Sequence, residues 1–232
     1  MSSQARANLS LILVLLVTAS GAFGQNGSTD KLIGPSTARA DAPGAPQPSG
    51  AKGAAASLDK RAPDFLLADL GGKQVKLSDY AGKIVVLEWF NPDCPFIKFA
   101  HSKGPLRNMA QELAGKDIVW FAINSGGKDR QGHGVERNRT AAKQFGIKHP
   151  ILLDESGKVG KLYGAKSTPH MFIIDSKGVL AYVGALDNAP LGAIEGNSHI
   201  NYVANAIKEL RSGKRVSVSK TNAYGCSVKY AR

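Results

Sequence analysis

Cysteine is the scarcest reactive residue of this chain: Cys94 and Cys226 are the only two among 232 residues. So few sulfurs exclude a small fold stapled by several disulfides. They also exclude a thiolate-rich metal centre, because no second cysteine lies near the first. The five histidines, His101, His133, His149, His170 and His199, are scattered, and none forms a His-x3-His pair. No metal site and no organic cofactor is expected. Acidic side chains are short too, 18 against 30 lysines and arginines, for a net charge of +12. The basic excess is thin, densest after Lys208 (Arg211, Lys214, Arg215, Lys220), and no aromatic-basic motif accompanies it. A solvated basic surface near anionic envelope components fits better than nucleic-acid binding.

Long apolar runs are also missing. The longest, Leu9 to Ala19, has 11 residues, too few to cross a bilayer comfortably. Arg6 precedes it and the small-x-small triplet Ala22-Phe23-Gly24 follows, the layout of a secretory signal peptide over residues 1–24. An uncleaved anchor is the alternative. Cleavage would remove one arginine and no acid, leaving +11, and the mature protein would be periplasmic or secreted with no stable membrane span. Residues 25–57 are rich in Gly, Ala, Pro and Ser, so they bury too little to offset ordering entropy and read as a flexible linker. A folded domain is expected over 58–212 and a basic tail over 213–232.

Within that domain, Gln74–Leu77, Ile84–Phe90 and Asp117–Asn124 read as strands, with Val135–Phe145 and Lys158–Tyr163 as helices ended by Gly146 and Gly164. Gly104-Pro105 is expected to kink the helix that carries Leu106, Met109, Ala110 and Leu113. His170–Asp175 and Val179–Val183 flank a turn, and Asn201–Leu210 is a last amphipathic helix. The order predicts a three-layer α/β fold, a central mixed sheet with helices on both faces.

The chemistry centres on Cys94. The buried strand ends at the turn Asn91-Pro92-Asp93, and Pro95 suits the first position of a helix. Unpaired N–H groups and the positive helix end would then face the sulfur and favour thiolate, the nucleophilic form. An inert buried cysteine is the bland alternative. Carboxyl ends of strands in open α/β sheets are where such folds place their chemistry.

Several segments together resemble the thioredoxin-like superfamily, and within it the redoxins, peroxiredoxin-like (AhpC/TSA) and thiol-disulfide oxidoreductase proteins. They are Ala62-Pro63-Asp64-Phe65, Leu77-Ser78-Asp79-Tyr80-Ala81-Gly82-Lys83, the strand into Cys94-Pro95, Leu153-Asp154 followed by Gly157-Lys158, and Thr168-Pro169-His170-Met171-Phe172-Ile173-Ile174-Asp175-Ser176-Lys177-Gly178. The resemblance spans residues 60 to about 212. It implies an exported thiol oxidoreductase with Cys94 as nucleophile, attacking a disulfide or a hydroperoxide, and a thiol protein as electron donor. Thr168-Pro169 matches the family's cis-proline, which turns the chain and presents a backbone edge to a partner. His170 beside it is a candidate polar neighbour of the thiol. Glu88 matches the buried strand acid, whose pKa burial would raise so that it relays a proton; pointing outward at a sheet edge is the other possibility.

The departures are as informative. Ile97 stands where thioredoxins carry the second cysteine, so the local dithiol is gone. Asn91 stands where peroxiredoxins place the threonine three residues before their reactive cysteine, and Leu87 where they place proline. Arg130, Arg137 and Arg139 lie where an arginine would be sought. Cys226, in Tyr224-Gly225-Cys226-Ser227, resembles a distant resolving cysteine. A permanent Cys94–Cys226 staple and an unpaired Cys226 stay open. A redox-inactive thioredoxin-fold binding module with such a bridge is the alternative function.

Overall fold

The structure is a computed structural model that describes residues 54–113, 115 and 117–232. The leader 1–24 and most of the linker lie outside the described residues. Ala54 to Ser57, which composition assigns to the linker, lie within them. Ala56 donates its N–H to the Leu162 carbonyl at 2.9 Å and packs on the core. A small side chain beside a free carbonyl is enough to anchor it.

The elements are β1 (Leu66–Asp69), β2 (Gln74–Lys76), β3 (Ile84–Trp89), α1 (Pro95–Ser102), α2 (Leu106–Leu113), β4 (Ile118–Asn124), α3 (Val135–Phe145), β5 (Ile151–Leu153), α4 (Lys158–Tyr163), β6 (Ser167–Thr168), β7 (Met171–Ile174), β8 (Leu180–Gly184), α5 (Tyr202–Arg211) and β9 (Cys226–Ser227). Seven strands form one sheet in the order β2-β1-β5-β4-β3-β7-β8. The β3–β4 and β4–β5 pairs are parallel, and the other pairs in this sheet are antiparallel. β6 and β9 make a separate two-stranded antiparallel pair.

Strand alternation divides the core. Val85, Leu87 and Trp89 of β3 point into one cluster with Phe121, Ile123 and Phe172. Ile84 and Val86 point into the other, under α2 and α5. Both faces of β3 are covered, which is why the strand reads as a continuous apolar run. Trp89 meets Phe172 at 4.9 Å and Tyr163 at 5.6 Å between ring centroids. Such aromatic pairs add about 0.5–1.5 kcal/mol beyond area burial. The expected kink at Gly104-Pro105 is a full break between α1 and α2. A Cβ on Gly104 would sit 2.8 Å from the Ala100 Cα, so this close turn needs glycine.

Candidate active site

Cys94 caps α1 at the carboxyl end of β3, with Pro95 in the first turn. Its backbone is extended there, as an N-cap requires. The loop behind it is fastened on both sides. Asn91 Oδ1 accepts from the Asp93 N–H at 2.9 Å, and Asn91 Nδ2 donates to the Gln131 carbonyl at 3.2 Å. Arg137 pairs with the Asp93 carboxylate and donates to the Pro92 carbonyl. Asn138 donates to the carbonyls of Gly132 and Gly134, which shapes the facing loop.

The thiol is fully buried, among Phe90, Ile97, Ala122 and Ala141. It is nonetheless at the proline loop: Cys94 Sγ donates to the Thr168 carbonyl at 3.1 Å. The Thr168–Pro169 bond is cis. What covers the sulfur is the C-terminal tail. Thr168 is the antiparallel partner of Cys226, and Ser167 of Ser227. Both cysteines are free, Cys94 buried and Cys226 half-buried. Cys226 packs against the apolar cluster that holds Cys94.

This contact splits the two thiols. Burial pushes the Cys94 pKa up, but the hydroxyl of Thr168, the thiol of Cys226 and the N–H groups of Ile97 and Cys226 outweigh it and leave it below the ordinary value. Cys226 moves the other way, to about 11, through burial and then through its nearness to Cys94, with Lys229 opposing. Of the two thiols, Cys94 is the more easily ionised.

Glu88 corrects an expectation. It is buried, as its neighbours predicted, but its pKa lies below the usual carboxylate value rather than above it. Burial does raise it. His101, whose Nε2 lies 2.7 Å from Oε1, outweighs that, helped by His149 and by the Trp120 indole N–H at 3.2 Å. None of its hydrogen bonds reaches Cys94. His101 is 2% exposed and not a surface residue.

His170 corrects another. Its Nδ1 accepts from the Lys166 N–H at 3.3 Å and its ring packs on Phe172, 4.5 Å between centroids. It makes no hydrogen bond to the thiol. Burial, with the Lys166 charge, lowers its pKa to about 4, so it stays neutral. Of the arginines, Arg137 alone bonds the turn before Cys94, while Arg139 reaches Glu136 and the Leu70 carbonyl.

Two features escaped sequence reasoning. Trp89 Nε1 donates to Ser125 Oγ at 3.1 Å, and Ser125 donates to the buried Asp154 at 2.7 Å, which also accepts the Gly160 N–H at 2.8 Å. Tyr224 donates to the buried Asp187 at 2.5 Å, and His199 lies 3.0 Å from the same carboxylate. Asp154 and Asp187 each follow an apolar stretch, Ile151-Leu152-Leu153 and Ala185-Leu186, but no local pattern shows which partners meet their carboxylates.

Comparison with known proteins shows the family of the chain. A family model described as AhpC/TSA family matches residues 58–183. Thiol-disulfide oxidoreductase ResA of Bacillus thuringiensis subsp. konkukian is 30% identical over 122 residues, 52% of this chain. The chain spans 65% of the length of that relative. Peroxiredoxin-2 of Macaca fascicularis is 31% identical over 155 residues, covering 59% of this chain and 73% of that protein. Among solved structures, a hypothetical protein from Sinorhizobium meliloti 1021 superposes with a TM-score of 0.66 at 29% identity, covering 75% of this chain and 95% of the other.

Proposed function

Because the chain belongs to the AhpC/TSA family, with a thioredoxin-like fold, we propose that Cys94 and Cys226 form one redox couple of a thiol–disulfide oxidoreductase. The observation that carries this reading is the register of β6 and β9, which sets Cys226 opposite Thr168, the residue whose carbonyl meets the Cys94 sulfur. The low-pKa sulfur attacks and the high-pKa sulfur waits as a thiol.

The steps balance with thiols alone. The Cys94 thiolate attacks one sulfur of a substrate disulfide and forms a mixed disulfide, and the other substrate sulfur leaves as thiolate. Cys226, losing its proton to that thiolate or to solvent, attacks the Cys94 sulfur. The Cys94–Cys226 bridge forms and the second substrate sulfur leaves. The substrate has gained two electrons and the couple has lost two. An external dithiol, a thiol protein in the cell, reverses the oxidation. Thr168 holds both cysteines: its carbonyl meets the Cys94 sulfur, and its hydroxyl donates to the Cys226 carbonyl at 3.4 Å.

Disulfide exchange is favoured over hydroperoxide reduction by Asn91. This residue stands where the peroxiredoxin pattern has a threonine hydroxyl, and both its polar atoms are engaged in the loop. Export belongs to the same reading. It rests on the leader-like residues 1–24 and on the absence, among the described residues, of a helix long and apolar enough to cross a membrane.

The experiment is a mass-spectrometric map of both sulfurs after oxidised glutathione and again after dithiothreitol. The expected result is a Cys94–Cys226 bridge that dithiothreitol opens and that Cys226→Ser replaces by glutathione on Cys94. A chain that forms no bridge overturns the couple. A bridge that resists dithiothreitol in the folded protein supports the fixed-staple binding module instead.

A further inference from the structure

The tail that brings Cys226 to Cys94 does more than deliver a thiol. Val216 is buried at 6% exposure, so the segment is docked from its start. The N–H of Val183 donates to the Ser219 carbonyl at 3.0 Å, and the Thr221 N–H donates back to Val183 at 3.1 Å. Tyr224 then reaches the buried Asp187 and lies against Phe96 of α1, 5.9 Å between ring centroids. Past the β6–β9 pair, Val228 N–H donates to the Lys166 carbonyl at 3.1 Å, and the Gly127 N–H donates to the Lys229 carbonyl at 2.9 Å. Tyr230 ends the run by donating to the Ala165 carbonyl at 2.8 Å.

The body is cut to receive it. A Cβ on Gly127 would lie 2.5 Å from the backbone nitrogen of Ala231. On Gly160 it would lie 2.5 Å from the Tyr230 hydroxyl, and on Gly157 2.6 Å from the Tyr230 ring. In the tail itself, Gly225 has φ +124°, and a Cβ there would strike the Thr168 carbonyl. Glycine on both sides of the contact is what close backbone approach demands. A loosely adsorbed tail would place no such constraint on residues dispersed from 127 to 225.

We propose that residues 224–230 form a resident strap that sets the specificity of the Cys94 site. The strap occupies the edge of β6, where an extended polypeptide would otherwise pair. It reserves Cys94 for small disulfides, which need only local breathing to enter. Macromolecular thiols meet the couple at Cys226, the half-buried sulfur. In that reaction the donor thiolate attacks the Cys226 sulfur of the bridge and Cys94 leaves as thiolate. The donor's second thiol then attacks its own sulfur in the mixed disulfide, releases Cys226, and takes the oxidation away as the donor's disulfide. The low pKa of Cys94 makes it the better leaving group. This inference rests on the redox couple proposed above.

The test uses full-length Cys226→Ser protein, which keeps the strap and isolates Cys94. Two reagents release the same thiopyridone: dithiodipyridine, and an unfolded polypeptide whose single cysteine carries a thiopyridine group. The ratio of their rates is the readout. Dithiodipyridine is expected to react about a hundredfold faster per activated sulfur, because only the polypeptide must lift the strap. Adding Gly225→Ala, or separately Tyr230→Ala, should raise the polypeptide rate about tenfold, the effect of loosening the strap by about 1.4 kcal/mol. The small reagent should change less than about threefold. Circular dichroism confirms that each variant is folded. Tyr230→Ala, which removes only the far anchor, decides the matter if Gly225→Ala does not fold. An unchanged ratio in folded variants overturns the strap. Bridge formation in the unmutated chain is read separately, so failure of the couple and failure of the strap are distinguishable.

Discussion

Two ionisable groups are sealed near the two ends of α1, and the protein treats them in opposite ways. At the N-terminal end Cys94 meets a carbonyl, a hydroxyl and the thiol of a tail that arrives from far along the sequence. Towards the C-terminal end Glu88 meets His101, with Trp120 fixing its second oxygen. Both pKa values fall despite burial. The Cys94 partners are polar groups that survive a change of bond at sulfur. The Glu88 partners are a matched charge or dipole set with no exit. In the proposed couple, burial with exchangeable partners suits a reaction centre, and burial with dedicated partners suits a structural pin.

Breaking each pole should show the difference. Cys94→Ser should lower dithiodipyridine or glutathione-disulfide exchange on the order of a thousandfold, since the reacting atom is removed, with little change in urea midpoint. Glu88→Ala should do the reverse. It strands His101 in the core and should cost about 3–5 kcal/mol by urea unfolding. Acid should mimic it. The Glu88 pKa is depressed in the folded state, so its contribution is fully present above about pH 4.5 and is lost as pH falls through the folded value. Stability measured downward from pH 6 should therefore drop for the native chain, and the drop should shrink in Glu88→Ala.

A sharper comparison is between the two sulfurs. Iodoacetamide labelling against pH should show Cys94 ionising below its ordinary value of 9.0 and Cys226 near 11. Cys226→Ala removes a neighbour that lowers the Cys94 pKa and should raise its midpoint. Coincident profiles for the two thiols would remove the division of labour. The smallest effect is expected at the half-buried Asp93–Arg137 pair. Arg137→Ala should cost about 1 kcal/mol or less by thermal unfolding and leave exchange within about twofold.

The sheet, the helices and the cap position of Cys94 were legible because each has a local cause. Apolar alternation, Gly146 and Gly164 after α3 and α4, and Pro95 after the turn all act within a few residues. Glu88 was legible as buried, but not the sign of its pKa. That sign depends on His101 and Trp120, and only the packing of α1 against β4 shows that they share one oxygen pair. His170 fails for a similar reason, since the residue after the cis bond turns its ring to Phe172. The tail carried a visible glycine and cysteine, yet its path depends on openings at Gly127, Gly157 and Gly160 that no local pattern announces.

Both tryptophans of the chain are buried, and each gives its indole proton to a different acceptor. Trp120 touches the carboxylate of Glu88, whereas Trp89 touches Ser125, on the other side of β3. The molecule therefore carries two optical gauges in separate compartments. Acid below about pH 4.5 should alter the emission of Trp120 through Glu88, and a phenylalanine at either position turns the fluorescence of the intact chain into a single-compartment signal.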